Sequence, residues 1–287
     1  MAVVSALVVL AAGRARRYGG VKPLAPIGVN GEAVIDLLAG DAIRAGFDRI
    51  VLVVNPDTGG QIRDHVAASW PSDVDVDFAV QALPVGTVDA VLSASAAVDR
   101  STPFGVANAD DLYGADALSV LGAHLDAQGS NCLVAFRLDR ALVGDLPVTR
   151  GVCSVVDGQL ASIAERRKVR AVDGRFRCDD GQEPSELDPS SLVSMNLWGF
   201  DPRMWGVLDD AMRRATDASE DAEVLLPELV GDLVEGRLGD ELRSFRVLST
   251  TSSCVGVTHP DDLELVREEI AAQVAAGERP AAAFGQG

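Results

Sequence analysis

The sequence predicts an α/β fold, a three-layer α/β/α Rossmann-like mixed sheet with antiparallel additions in its second half. Apolar runs alternate with amphipathic helical stretches through the first half, the habit of a parallel sheet with helices on both faces. From about Asp139 the alternation gives way to short strands and Gly/Asp turns, for which antiparallel extension of the sheet is the simplest reading. The 287 residues, 47% of them hydrophobic, suffice to bury a full core. Residues 1–287 therefore read as one domain with halves at 1–138 and 139–287.

Strands are expected at Ala2–Leu10, Arg49–Val54, Asp75–Val80, Phe104–Ala107 and Cys132–Arg137. The first helix, Ala33–Ala45, carries Val34, Leu37, Leu38, Ala42 and Ala45 at helical spacing, and Gly46 supplies its C-cap. Further helices fit Gln61–Ala68, started by Asp57-Thr58, then Thr87–Ala97 and Ala115–Ala127. In the second half, Val156-Asp-Gly158 and Val172-Asp-Gly174 are turn signals. Helices follow at Pro202–Thr216 and Glu223–Glu235, then a strand at Leu242–Leu248 and a terminal helix at Asp261–Ala276. Trp198 and Trp205 read as core, the acidic run Asp217–Glu223 as a solvated loop, and the tail Ala281–Gly287 as frayed.

Composition excludes several classes. The apolar stretch Ala6–Ala12 is too short to cross a bilayer and lacks a preceding basic segment, so it reads as a buried strand of a cytoplasmic protein with no membrane partner. Cys132, Cys153, Cys178 and Cys254 are scattered without C-x-x-C spacing, which fits reduced, buried thiols. A formal net charge of −18 rules out a general nucleic-acid surface. No feature of the sequence marks an oligomeric state.

Against that charge, no Asp or Glu occurs before Glu32. The segment Leu10-Ala-Ala-Gly-Arg-Ala-Arg-Arg-Tyr-Gly-Gly-Val-Lys22 sets Arg14, Arg16, Arg17 and Lys22 on a small-residue loop that follows an apolar run. Such a loop gathers an anion, and phosphate is the natural candidate. It is not the dinucleotide fingerprint, since residue 15 is Ala and residue 18 is Tyr, and the P-loop ending G-K-[ST] is absent.

The spacing Leu-Ala-Ala-Gly-x-Ala-x-Arg17 followed by Lys22-Pro-Leu resembles the L-A-A-G-x-G-x-R…K-P-L motif of the nucleotidyltransferases that activate sugar phosphates. Tyr18-Gly-Gly-Val-Lys22, Val29-Asn-Gly-Glu32, Asp41-Ala-Ile-Arg-Ala-Gly-Phe47, Asn108-Ala-Asp-Asp-Leu-Tyr-Gly114, Arg150-Gly-Val-Cys153 and Ser194-Met-Asn-Leu-Trp-Gly-Phe200 look like one bacterial branch of that family. The resemblance implies a GT-A-like fold with a nucleotide-binding half, 1–138, and a sugar-phosphate-binding half, 139–287. It implies attack by a phosphate monoester oxygen on the α-phosphorus of a nucleoside triphosphate, with Mg²⁺ as cofactor. The partners are then a nucleoside triphosphate and a small phosphorylated substrate.

By the same resemblance, Arg17 would stabilise the α-phosphate and the leaving pyrophosphate, and Lys22 would bind the reacting phosphates. Leu10, Ala11, Ala12 and Gly13 would line the nucleotide, with backbone N–H groups open to close approach. Asp110, at the end of a predicted strand, matches the metal aspartate, and Asp111 would orient Asp110 or the sugar. Gln81, Gly86 and Thr87 match the base-reading segment, although Val88 and Asp89 stand where relatives have Gly and His. Glu165, Arg166 and Lys168 resemble the strand that holds sugar hydroxyls and sugar phosphate, and Gly151 and Asn196 would share that face. Lys22 and Lys168 are the chain's two lysines, and both fall where the family places phosphate-binding charge. Gly256 stands where many members carry a second metal carboxylate. Two other readings keep the fold. A glycosyltransferase would need a D-x-D motif that Asp110-Asp111 does not supply, and a non-catalytic nucleotide sensor would account for the departures at Ala15 and Gly256.

Overall fold

In the computed structural model of the chain, the described residues are 5–13, 19–127, 129–142, 146–219, 222–239, 241–257 and 262–285. The first half comprises β1 (Ala6–Ala11), α1 (Val34–Arg44), β2 (Arg49–Val54), α2 (Gly59–Ser69), β3 (Val76–Val80), α3 (Thr87–Ser93), β4 (Phe104–Asn108), β5 (Asp111–Leu112), α4 (Ala115–Ala127) and β6 (Cys132–Arg137). The second comprises β7 (Val148–Val156), β8 (Gln159–Val172), β9 (Arg175–Cys178), β10 (Glu186–Leu187), β11 (Leu192–Phe200), α5 (Met204–Ala218), α6 (Leu226–Val234), β12 (Arg246–Ser249), β13 (Val255–Gly256) and α7 (Asp262–Ala275).

Among the described residues, eleven strands form one mixed sheet in the order β10-β9-β8-β12-β6-β11-β4-β1-β2-β3, with β7 paired to β8 and β11. Strands β3, β2, β1 and β4 run parallel, and β11 is antiparallel to both β4 and β6. Alternate residues of β1 reach opposite faces. Leu7, Val9 and Ala11 join a core with side chains of α1, α2, α4 and α7, whereas Ala6 and Val8 join one with α3, α5 and α6. Because both faces are covered, the strand reads as an unbroken apolar run. Trp205 stacks on Phe104 at 4.3 Å between ring centroids, and Trp198 is fully buried. All four cysteines are buried and free.

Local chemistry explains the turns. Asp157-Gly158 and Asp173-Gly174 close the β7–β8 and β8–β9 hairpins as two-residue loops, with φ of 51° and 74°, then 52° and 74°. Positive φ at both positions matches the right-handed twist of the flanking strands. In α1, the Asp36 carboxylate accepts from Ala33 N at 2.8 Å and Trp70 Nε1 at 2.7 Å, and His65 Nε2 lies 2.8 Å away. One buried acid thereby caps α1 and ties it to α2 and to the Trp70 that follows.

Three expectations change. The helix expected from Glu223 begins at Leu226, with Pro227 in its first turn, because Val224 instead bonds to Val85 and Val88. The acidic run Asp217–Glu223 is not simply a loop, since Asp217 lies inside α5. The tail is packed rather than frayed through the described residues. Ala283 O accepts from Arg44, Phe284 lies 5.4 Å from Trp70, and Arg279, 3% exposed, pairs with Asp41 at 2.5 Å.

One irregularity positions the site. Ser194 of β11 pairs with Ala135, but Trp198 pairs with Leu133, so β11 carries extra residues between them. Asn196, in that bulge, has a φ of 59°. Before the bulge β11 pairs with β7; after it, β11 pairs with β4. The bulge opens the sheet there and re-aims Asn196.

Arg279→Met should lower stability to urea by about 3 kcal/mol, because it leaves the buried Asp41 with only the half-exposed Arg44. A change within about 0.5 kcal/mol, the range of ordinary surface substitutions, would contradict a packed tail.

Candidate active site

The chain runs from β1 outward through β2 to β3 and then returns to place β4 on the other side of β1, so the strand order reverses between β1 and β4. Such a switch point forms a crevice at the carboxyl ends of the strands. Ala109 N, donating to Leu10 O at 3.2 Å, closes its floor. Two adjoining cavities of about 560 and 570 Å³ open there and share Thr87, Asn196 and Leu225.

Leu10, Ala12, Gly13, Gln81, Gly86, Asn108 and Asp110 line the first cavity. Ala11 faces the core, so it can serve the cavity only through its backbone. Gly13 is not among the positive-φ glycines, and a Cβ there would meet no atom of the described residues within 4 Å. Gly86 is different: its φ is 102°, and a Cβ would collide with the Val224 backbone. Thr87 Oγ1 accepts from Leu226 N at 2.8 Å, so this hydroxyl fastens the start of α6 while lining both cavities. Arg17 and Ala15 lie outside the described residues.

Lys22 follows the loop in a short 3₁₀ turn and places Nζ 3.6 Å from Asp110 Oδ2. Burial pushes the Asp110 carboxyl up, against the pull of Lys22. Asp111 is pushed up to about 7, first by burial and then by the Asp110 charge, while an Asn108 Nδ2 bond at 3.0 Å and the charges of Arg150 and Lys22 oppose the rise. The Arg150 guanidinium is anchored on Ala141 O through Nε and Nη2 and on Thr149 O through Nη1. Gly256 pairs with Asp111 across β5 and β13, and a Cβ there would strike Asp111 Oδ1. The Asp111 carboxylate thus occupies the space that a side chain at 256 would need.

The second cavity gathers Gly151, Glu165, Ser194 and Asn196, joined by Asp232 and Arg237 of the α6 region. Arg166, expected to hold substrate phosphate, is committed elsewhere. It is almost fully buried, with Nε 2.8 Å from Asp180 Oδ2 and Nη2 bonded to the carbonyls of Gln182 and Pro184. Its pairing holds Asp180 well below the usual carboxylate range. Lys168 is exposed, with a φ of 54°, and lines neither cavity. Of the expected substrate-binding residues, Gly151, Glu165 and Asn196 come together, Asp111 sits behind Asp110, and Arg166 and Lys168 stand apart.

Several contributors escape sequence reading. Asn55 Oδ1 accepts from Asp57 N, Thr58 N and Thr58 Oγ1, while its Nδ2 donates to Ala12 O at 3.1 Å. Asn55, rather than Asp57-Thr58, therefore organises the start of α2 and fixes the mouth of the loop. Tyr113 Oη accepts from Asn108 N at 2.8 Å and donates to Met195 O at 3.0 Å, joining the Asp110 turn to the Asn196 bulge. Glu223, from the supposed solvated run, lines the first cavity. An Asn at a strand end is the signal for Asn55, and Tyr113 belongs to the motif Asn108–Gly114 that carries the resemblance, whereas Glu223 has no signal.

Residues 7–184 match the MobA-like NTP transferase domain. The chain belongs to that family. No curated protein sequence matches it. Among solved structures, the inositol-1-phosphate CTP transferase from T. maritima superposes with a TM-score of 0.66 at 15% identity, covering 96% of this chain and 98% of its own. A UDP-glucose pyrophosphorylase complexed with UDP-glucose gives a TM-score of 0.64 at 14% identity, covering 94% of this chain and 99% of its own. At these identities the likeness establishes the fold alone, so the roles of individual residues in this NTP transferase domain rest on its own geometry.

A carboxyl raised in the folded state costs nothing below its ordinary value of 3.8, and the cost grows with pH until it is complete above about 7. Asp111→Asn should therefore flatten the fall in stability of metal-free protein between about pH 4 and 8. At pH 8 it should stabilise the fold by on the order of 2 to 4 kcal/mol in urea titrations. Equal pH slopes for the two proteins would contradict the assignment.

Proposed function

We propose that this NTP transferase domain joins a nucleoside triphosphate to a sugar 1-phosphate, or a related phosphorylated alcohol, and releases pyrophosphate. The observation that carries this reading is the pairing of two adjoining cavities that share Thr87 and Asn196, with the Lys22–Asp110 pair beside the small-residue loop. Each cavity has the size of a small-molecule site. The two structural relatives named above bear the names of nucleotide-coupling enzymes, in keeping with this reading.

The phosphate monoester is largely dianionic near neutral pH, so its oxygen attacks the α-phosphorus without a strong general base. The chain's task is alignment and charge neutralisation. Backbone groups of Ala12 and Gly13 approach the triphosphate, and Lys22 neutralises the reacting phosphates. Arg17 stabilises the α-phosphate and the departing pyrophosphate. Glu165 and Asn196 hold the acceptor in the second cavity, beside Gly151, where a side chain would crowd it.

Mg²⁺ fits the donor set. Asp110 offers hard carboxylate oxygens on the cavity wall, and burial of the neighbouring acids leaves them short of positive charge. Among the described residues no three His, Cys, Asp or Glu side chains cluster to hold a metal, so substrate phosphates and water would complete the shell. When bound, the ion would neutralise charge on the triphosphate. No helix among the described residues is long and apolar enough to cross a membrane, and we assign the protein to the cytoplasm.

The test is pyrophosphate release from a panel of triphosphates and phosphorylated sugars with Mg²⁺. Arg17→Ala, Lys22→Ala and Asp110→Ala should each lower kcat/KM by roughly 10²- to 10³-fold. Tight triphosphate binding without release across the panel would favour a nucleotide sensor, and transfer from a nucleotide sugar would favour a glycosyltransferase.

A further inference from the structure

Gln81 follows β3 and is 7% exposed, with its backbone N bonded to Val54 O at 2.9 Å. Its side-chain Nε2 lies 2.9 Å from Gly86 O and 3.1 Å from Asp89 Oδ2. A backbone carbonyl and a carboxylate can only accept, while a carboxamide has one accepting end and one donating end. These neighbours fix which end of Gln81 faces them. A flipped amide would set Oε1 against two oxygens and forfeit two hydrogen bonds, one of them to a charged group.

The consequence falls on the cavity. Gln81 lines it, and no described residue donates to Oε1, so the wall beside Leu10, Pro84 and Ala90 presents an acceptor. Gly86 O alone holds one proton of the amide, but the Asp89 carboxylate removes the alternative orientation. Resting on the reading that this cavity takes the triphosphate, we infer that Asp89 is a specificity-determining positioning residue. It holds Gln81 as an obligate acceptor, so the site selects a nucleobase whose edge donates a proton there. Asp89 acts through Gln81 and need not touch the nucleotide.

Uracil and cytosine exchange donor and acceptor along the same base edge, as do hypoxanthine and adenine. A fixed acceptor separates the members of such a pair, whereas an amide free to flip serves both. The experiment is displacement of a fluorescent nucleotide by UTP, CTP, ITP and ATP, repeated with pyrophosphate release as a second readout. Wild type should separate the members of at least one pair by roughly ten-fold or more. Asp89→Asn, whose amide can donate or accept, should shrink that ratio to about three-fold or less.

Two further variants separate positioning from loss of fold. Asp89→Glu keeps an acceptor and should keep the ratio. Gln81→Ala, which removes the acceptor, should lose the ratio while circular dichroism shows the fold kept. An unchanged ratio in Asp89→Asn, or no separation within either pair by wild type, would overturn the inference while leaving the proposed reaction intact. Failure of every triphosphate to displace the probe would remove both.

Discussion

The site is organised around two neighbouring, half-buried carboxylates just after β4. Asp110 and Asp111 repel each other, and burial raises both. Uncompensated, such a pair would neutralise or expose itself. Lys22 reaches Asp110 from the segment after β1, Asn108 donates to Asp111, and Arg150 adds charge from β7. Each partner comes from a different part of the chain, so satisfying the acids also assembles the crevice. The compensation is incomplete, since the Asp110 carboxyl stays raised despite Lys22.

Gly256 belongs to the same economy of space. A side chain there would displace the Asp111 carboxylate, so this chain cannot hold a carboxylate at 256 and Asp111 in its present position together. Tyr113 supplies the other constraint. Its single hydroxyl joins the Asp110 turn to β11 beside the Asn196 bulge, so the Asp110 and Asn196 sides of the crevice are held in register by one buried group.

The first half of the fold was legible because its signals are local. Buried parallel strands appear as apolar runs, helix faces as a 3.6-residue period, and hairpins as Asp-Gly pairs whose positive φ values suit the twist. What escaped depends on partners distant in sequence. Arg166 read as a phosphate ligand because its motif is local, but Asp180, across the β8–β9 hairpin, claims its guanidinium. The tail read as frayed because nothing near Ala281 announces that Arg279 pairs with Asp41. In the site, the family resemblance pointed to Leu10, Gln81, Asp110 and Asn196, all of which line the cavity, although no periodicity marks the bulge that brings Asn196 there.

The same distinction explains how so acidic a chain can receive a triphosphate. A net charge of −18 repels an anion at long range, but salt screens exposed charges beyond a Debye length of roughly 8 Å. Inside the crevice the balance is set by the few groups that water does not screen. The segment before Glu32 carries no acid, and its Lys22 partly compensates Asp110 and Asp111. Global charge therefore acts on anions at long range, while the loop and the β4 turn set the local balance at the cavity. A basic segment on an acidic chain is informative for that reason: only a local site with its own dielectric makes such a contrast useful.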